Sequence, residues 1–196
     1  MDKNTNWPEF IRLTLDDKPR RMVTKALKYF GDFTGYAVEL GCGSGIDTVT
    51  LVQHGWQVYA VDSNPDGFEN ILSKLPHDKK SKVQCVTANF EDMEIPEADL
   101  VYSSFSLPFC RPENFDELWS KITAAIKPGG RFAGNLFGVK DEWVYMQDAT
   151  FLTREQVEDL LKDFEIEYLS EMNQIGPSVL VPTKLWHLYD IVARKP

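Results

Sequence analysis

The sequence predicts an α/β fold, a doubly wound and mostly parallel sheet with helices on both faces, and three observations carry that prediction. Strand-like and helix-like stretches alternate from about residue 36 onward, the order that a parallel sheet with crossover helices requires. Tyr36 to Leu40 reads as a buried strand that runs into glycines at 41, 43 and 45 and then into a helix. The following strand, Gln57 to Val61, ends at Asp62, 21 residues after Gly41, about the spacing at which an acid meets a ribose hydroxyl in a βαβ nucleotide fold.

Each element has its own signal. Met22, Val23, Ala26, Leu27 and Phe30 form a helical stripe before the first strand. Ile46 to His54 is a short helix that Gly55 ends in a left-handed cap. Asn64 and Pro65 start a helix carrying Phe68, Ile71, Leu72 and Leu75, which Pro76 stops. Strands follow at Val83–Ala88 and Asp99–Ser104, then a helix through Phe115, Leu118, Trp119 and Ile122 that runs out at Lys127-Pro128-Gly129-Gly130. Arg131–Phe137 is a strand, and Thr153 with Gln156 forms a capping box ahead of Val157, Leu160, Leu161 and Phe164. Two strands close the chain, Glu165–Met172 and Leu185–Ala193, joined by a long loop holding Gly176, Pro177 and Pro182.

The 196 residues suit one domain, with residues 1–34 as a helical cap and 35–196 as the core. Apolar residues make up 43% and charged residues 26%, a composition that builds a core rather than a disordered chain. No stretch nears the ~18 apolar residues of a membrane span, and the polar start lacks a signal-peptide core, so a soluble, cytoplasmic protein is expected. Cys42, Cys85 and Cys110 are an odd set without a C-x-x-C pair, which suggests neither a disulfide framework nor a metal site. A net charge of −9 argues against nucleic acid as partner. A small neutral or cationic ligand fits better, bound by a monomer or homodimer.

Taken together, Val38-Glu39-Leu40-Gly41-Cys42-Gly43-Ser44-Gly45, Val58–Asp62, Ala88-Asn89-Phe90-Glu91-Asp92, Asp99–Ser104 and Lys127–Phe132 resemble the motifs of the class I S-adenosylmethionine-dependent methyltransferases. Ser106-Leu107-Pro108-Phe109-Cys110 and Lys184-Leu185-Trp186-His187 are similar to a bacterial group of small-molecule methyltransferases of the tellurite-resistance type. The resemblance implies a Rossmann-like, seven-stranded sheet with one late antiparallel strand. It also implies S-adenosylmethionine as cofactor, held by Glu39, Gly41, Cys42, Gly43, Gly45, Asp62, Ser63, Asn89, Phe90, Glu91 and Ser104. Asn89 stands where the family more often has an aspartate, and an amide can still hydrogen-bond an adenine edge.

The residues support that reading on physical grounds. A sulfonium cofactor needs acceptors for its ribose diol, a flat slot for adenine and no cation beside the sulfur. Asp62 offers the first and Phe90 with Glu91 the second, while Glu39 places an acid at the strand end. A nicotinamide-dependent oxidoreductase would need a third glycine where Ile46 stands, and Glu39 would oppose its pyrophosphate. A non-catalytic cofactor sensor or scaffold is the remaining alternative.

For the methyl acceptor, Ser106–Phe109 approximates the Asp/Asn/Ser-Pro-Pro-aromatic run of nitrogen methyltransferases, with Leu107 in place of a proline. Trp7, Phe10, Phe109, Trp143, Tyr145 and His187 are the expected walls of the acceptor pocket. His187 and Tyr145 are the candidates for a proton acceptor. The acceptor's identity and atom are not encoded in any of these features.

Overall fold

The computed structural model describes residues 6–179 and 181–196. Helices α1 (Trp7–Thr14) and α2 (Arg21–Phe30) precede strand β1 (Tyr36–Leu40). Then follow α3 (Ile46–Gln53), β2 (Gln57–Asp62), α4 (Phe68–Lys74), β3 (Val83–Thr87), β4 (Ala98–Ser103), α5 (Pro112–Ala125) and β5 (Ile126–Gly138). A two-residue β6 (Phe151–Leu152), α6 (Arg154–Leu160), β7 (Glu165–Pro177) and β8 (Thr183–Arg194) complete the chain.

The sheet order is β3-β2-β1-β4-β5-β8-β7, with β6 set beside β5. The pairs β1 to β5 are parallel, while β8 runs antiparallel to both β5 and β7. The expected seven strands and the late antiparallel strand are present, and β6 is one more. The strand order reverses between β1 and β4, which opens a crevice at their carboxyl ends.

Apolar side chains bury on both faces of this sheet. One cluster joins Val38, Leu40, Phe132 and Ile191 to Phe115, Trp119 and Ile122 of α5 and Val157 of α6. The other joins Ala37, Val58 and Leu100 to Met22 and Val23 of α2, Val52 of α3 and Ile71 of α4. Each fully buried large side chain contributes about 1.5–3 kcal/mol relative to exposure. The amphipathic stripes therefore decide which face each helix covers.

Local signals place the helix starts. Asn6 accepts from the Glu9 amide at 3.1 Å ahead of Pro8. Asn64 accepts from Asp66 N at 2.9 Å and opens a 3-10 turn, Pro65–Gly67, rather than entering α4 directly. Thr153 and Gln156 form both halves of the capping box.

Two boundaries differ from expectation. Helix α5 stops at Ala125 and β5 already starts at Ile126, because Pro128 has no N–H to continue a helix and holds Lys127 extended. The long loop expected before β8 shrinks to residues 178–182. Beyond the last β5 pair, Phe137 with Leu188, the β7–β8 ladder continues from Asn173–His187 to Pro177–Thr183. Those five further pairs project as a hairpin past the sheet.

Candidate cofactor and acceptor site

A cavity of about 490 Å³ lies at the carboxyl ends of β1, β2 and β4, within the range of small-molecule sites. Its floor is the glycine turn. Gly41, Gly43 and Gly45 have φ of +75°, +53° and +80°, a region in which side chains are strained. Gly41 N and Cys42 N donate to Val61 O at 2.8 and 3.0 Å, tying the turn to β2. Ser106 Oγ donates to Leu40 O and packs where a Gly41 side chain would stand.

Asp62 braces the same turn. Its Oδ2 accepts from Gly43 N at 2.8 Å and its Oδ1 from Asn64 N at 2.9 Å. Burial raises its pKa, and the bonds from Asn64, Gly43 and Ser63 act against that rise. Gly67 presses on the turn from behind, where an added Cβ would overlap the Gly43 carbonyl. No sequence pattern marked that contact, since Gly67 lies 22 residues beyond Gly45.

Two buried acids stand beneath the loop. Glu39 accepts from Thr48 Oγ1, and Asp47, in the first turn of α3, accepts from Tyr102 Oη at 2.6 Å and from Arg20 N at 2.8 Å. Burial pushes the Glu39 carboxyl well above its ordinary pKa, and the neighbouring Asp47 charge adds to the rise. The Asp47 carboxyl is raised too, mainly by burial, against the bonds from Tyr102 and Arg20. A cation placed beside them would draw both toward ionisation.

Of the residues expected to hold a cofactor, Glu39, Gly41, Cys42, Gly43, Asp62, Ser63, Asn89, Phe90, Glu91 and Ser104 line this one cavity. Gly45 does not. Its Cα faces Ile71 of α4, and as the left-handed residue before α3 it turns the chain rather than meeting a ligand. Glu91 accepts from Asn114 Nδ2 at 3.2 Å, which ties that side of the cavity to α5.

Trp7, Phe10 and Phe109 form the opposite wall. Trp7 meets Phe10 and Phe109 edge-on, with centroids 5.9 and 5.0 Å apart. Three of the expected acceptor residues stand elsewhere. Trp143 packs behind Phe109, at 6.2 Å, and Tyr145 is 73% exposed, away from the cavity. His187 is buried in β8, where Nδ1 accepts from Lys140 N at 3.0 Å and Nε2 meets Glu171 Oε1 at 2.9 Å. With both ring nitrogens engaged outside the cavity, His187 serves the hairpin rather than a proton transfer.

The cavity also takes residues that the motifs did not single out. Ile11, Asp17, Arg20, Asp47, Phe105, Arg111 and Asn114 line it. The Arg20 backbone N–H, donating to Asp47, sets that residue at the glycine turn. Asp47 carried one readable signal, an acid in a helix's first turn two residues after the glycines. Phe105 is the one non-glycine residue with positive φ among those described, at +56°, and such conformations gather at functional sites.

Residues 37–130 match a family model described as a methyltransferase domain. That match spans just under half of the chain. Two curated relatives are carboxy-S-adenosyl-L-methionine synthases. That of Vibrio campbellii is 34% identical over 97 residues, 47% of this chain and 40% of its own. That of Shewanella loihica is 29% identical over 122 residues, 60% and 47% of the two chains. The chain thus matches less than half the length of these relatives.

Solved structures agree with the domain's fold. TehB from Haemophilus influenzae superposes with a TM-score of 0.71 at 17% identity, covering 89% of this chain and 61% of its own. The N-methyltransferase NodS from Bradyrhizobium japonicum, in complex with S-adenosylhomocysteine, gives 0.71 at 14% identity over 98% and 100% of the chains. A Burkholderia thailandensis 1,6-didemethyltoxoflavin N1-methyltransferase gives 0.70 at 18% over 90% and 77%. The sequence match covers residues 37–130, and the likeness in fold extends over most of the chain.

Proposed function

We propose that this chain binds S-adenosylmethionine and directs its methyl group to a small, flat, largely apolar acceptor. The observation that carries this reading is the continuity of one cavity. Its glycine-turn side is acidic and its other side is walled by Trp7, Phe10, Phe105 and Phe109.

The residues present fit the cofactor. Asp62 keeps lone pairs for a ribose diol beyond the two amides it already accepts from. Phe90 offers a ring face to adenine, with Asn89, Glu91 and Ser63 at its polar edge. Glu39 and Asp47 supply negative charge for an ammonium, and the Arg20 guanidinium stands at the same turn for a carboxylate. Glycines at 41 and 43 let backbone N–H groups approach without a Cβ between.

When bound, the cofactor supplies an electrophilic methyl on a sulfonium. The chain's own part is to hold the acceptor in line and to keep water out, which accounts for much of the rate of such a transfer. The aromatic wall orients a flat acceptor, and its ring faces favour the positive charge of the donor. No residue is assigned as general base.

Calorimetry with S-adenosylmethionine and S-adenosylhomocysteine tests the cofactor; absence of binding by both would sink the proposal. Radiolabelled methyl transfer to a panel of aromatic amines, thiols, carboxylates and selenite then reads the acceptor. Mass spectrometry of the spent cofactor separates transfer from the carboxylated product named in the curated relatives. Binding with no product of either kind would favour a sensor.

A further inference from the structure

The hairpin side of the domain holds a second arrangement that the cofactor site does not explain. Lys184 and Asp141 form an ion pair whose two side chains are wholly excluded from solvent. The Lys184 ammonium stands 3.5 Å from the ring centroid of Trp143, 3.9 Å from Trp186 and 5.4 Å from Phe137. Asp141 also accepts from Trp143 N and from His187 N, each at 3.0 Å. Glu142 pins the same loop to β8, its N–H donating to Leu185 O at 3.0 Å and its Oε2 accepting from Leu185 N at 2.8 Å.

This is an aromatic box of the kind that holds ammonium ligands, closed here over the chain's own lysine. Burial lowers the Lys184 pKa, and the Asp141 bond opposes the fall. A desolvated cation is tolerated only where ring faces and a carboxylate surround it, so its presence dictates how each ring is turned.

Those rings are the backing of the acceptor wall. Trp186 meets Phe105 at 5.6 Å, while Trp143 and Phe137 meet Phe109 at 6.2 and 5.6 Å. Phe105 and Phe109 both line the cavity. Phe105 keeps a strained backbone, at φ +56°, and such strain persists only where the surroundings over-determine it. Trp186 on one side and the Arg20 guanidinium at 5.7 Å from its ring are those surroundings.

We propose that Lys184 is a positioning residue for the acceptor half of the cavity, acting through the Phe137–Trp143–Trp186 box on Phe105 and Phe109. This rests on the reading of that wall as the acceptor side. The cation, rather than the bulk of the side chain, is the ordering element.

The test uses the whole chain labelled with 5-fluorotryptophan and loaded with S-adenosylhomocysteine. Its five tryptophans give five fluorine resonances, each assigned by a single Trp→Phe substitution. In Lys184→Met, the resonances of Trp143 and Trp186 shift, and so does that of Trp7, whose ring meets Phe10 and Phe109 and none of the three box rings. Trp56 and Trp119 stay in place, and affinity for S-adenosylhomocysteine stays within about twofold. An unmoved Trp7 would overturn the proposal, because the box would then be local support only. If Lys184→Met does not fold, Lys184→Ala is refolded with propylammonium or with propan-1-ol. Recovery of the Trp7 resonance with the cation alone supports the proposal, and equal recovery with the alcohol defeats it. Loss of S-adenosylhomocysteine binding by the unaltered chain would count against the cofactor reading and leave the ring coupling readable.

Discussion

The two walls of the cavity are built by opposite means. The glycine-turn wall is made by backbone, with Gly41 and Cys42 N–H bound to Val61 O and Gly43 N–H bound to Asp62. The aromatic wall is made by side chains brought from α1 and the segment after β4, and it is backed by rings from the end of β5 and from β8. On the proposed reading, the backbone-built wall meets the constant sugar and tail of the cofactor. A side-chain wall can be rebuilt residue by residue, which suits the side proposed to meet a variable acceptor.

That contrast breaks first at Asp141. Asp141→Ala strands a buried ammonium and should cost about 3–5 kcal/mol of stability, read as a lower urea midpoint, with S-adenosylhomocysteine affinity unchanged. A matching fall in cofactor affinity would show that the two walls are one unit. Asp62→Ala should do the reverse. It should weaken cofactor binding by about 2–4 kcal/mol, as for two charge-assisted hydrogen bonds, measured by calorimetry. Because Asp62 also accepts from the Gly43 and Asn64 amides, a stability loss of about 2 kcal/mol for the two bonds should accompany it.

A third outcome concerns protons. The raised carboxyl of Glu39 stays protonated above its ordinary value in the folded chain. The folded state therefore binds more protons than the unfolded one in that window. The stability this group contributes is present at low pH and declines as pH rises through the folded pKa. A bound ammonium favours the ionised form, so cofactor binding should release protons and tighten as pH rises through the same window. Calorimetry in buffers of different ionisation enthalpy measures the release, and Glu39→Gln should reduce it to the share that Asp47 contributes. The smallest effect is at the rim of neither wall. Thr153→Ala removes a capping box and should cost about 1 kcal/mol, without changing affinity for any ligand.

How much was legible beforehand follows the same division. The glycine turn, Asp62, Asn89 and Phe90 are short-range patterns, and the cavity gathers them as the spacing implied. Strand alternation also gave the mostly parallel sheet, while its late antiparallel strand was implied by the family resemblance. The aromatic wall was half legible. Trp7, Phe10 and Phe109 reach the cavity, but Trp143 backs it, Tyr145 leaves it, and His187 is held by Lys140 and Glu171. Their positions depend on the β7–β8 hairpin extending past the sheet, a long-range pairing that periodicity within one segment does not reveal. Lys184 drew no attention as a functional residue because a lysine at a strand start reads as solvent-facing; only the fold shows that it is wholly enclosed.

Gly67 carries one more consequence. An added Cβ there would overlap the Gly43 carbonyl, so the turn has a fourth glycine that its own motif omits. In a saturation library scored for cofactor binding, position 67 should accept almost nothing but glycine, while its neighbour Asp66, exposed at the surface, tolerates wide change. Anyone transplanting this glycine turn into another scaffold would therefore need to carry α4's entry with it.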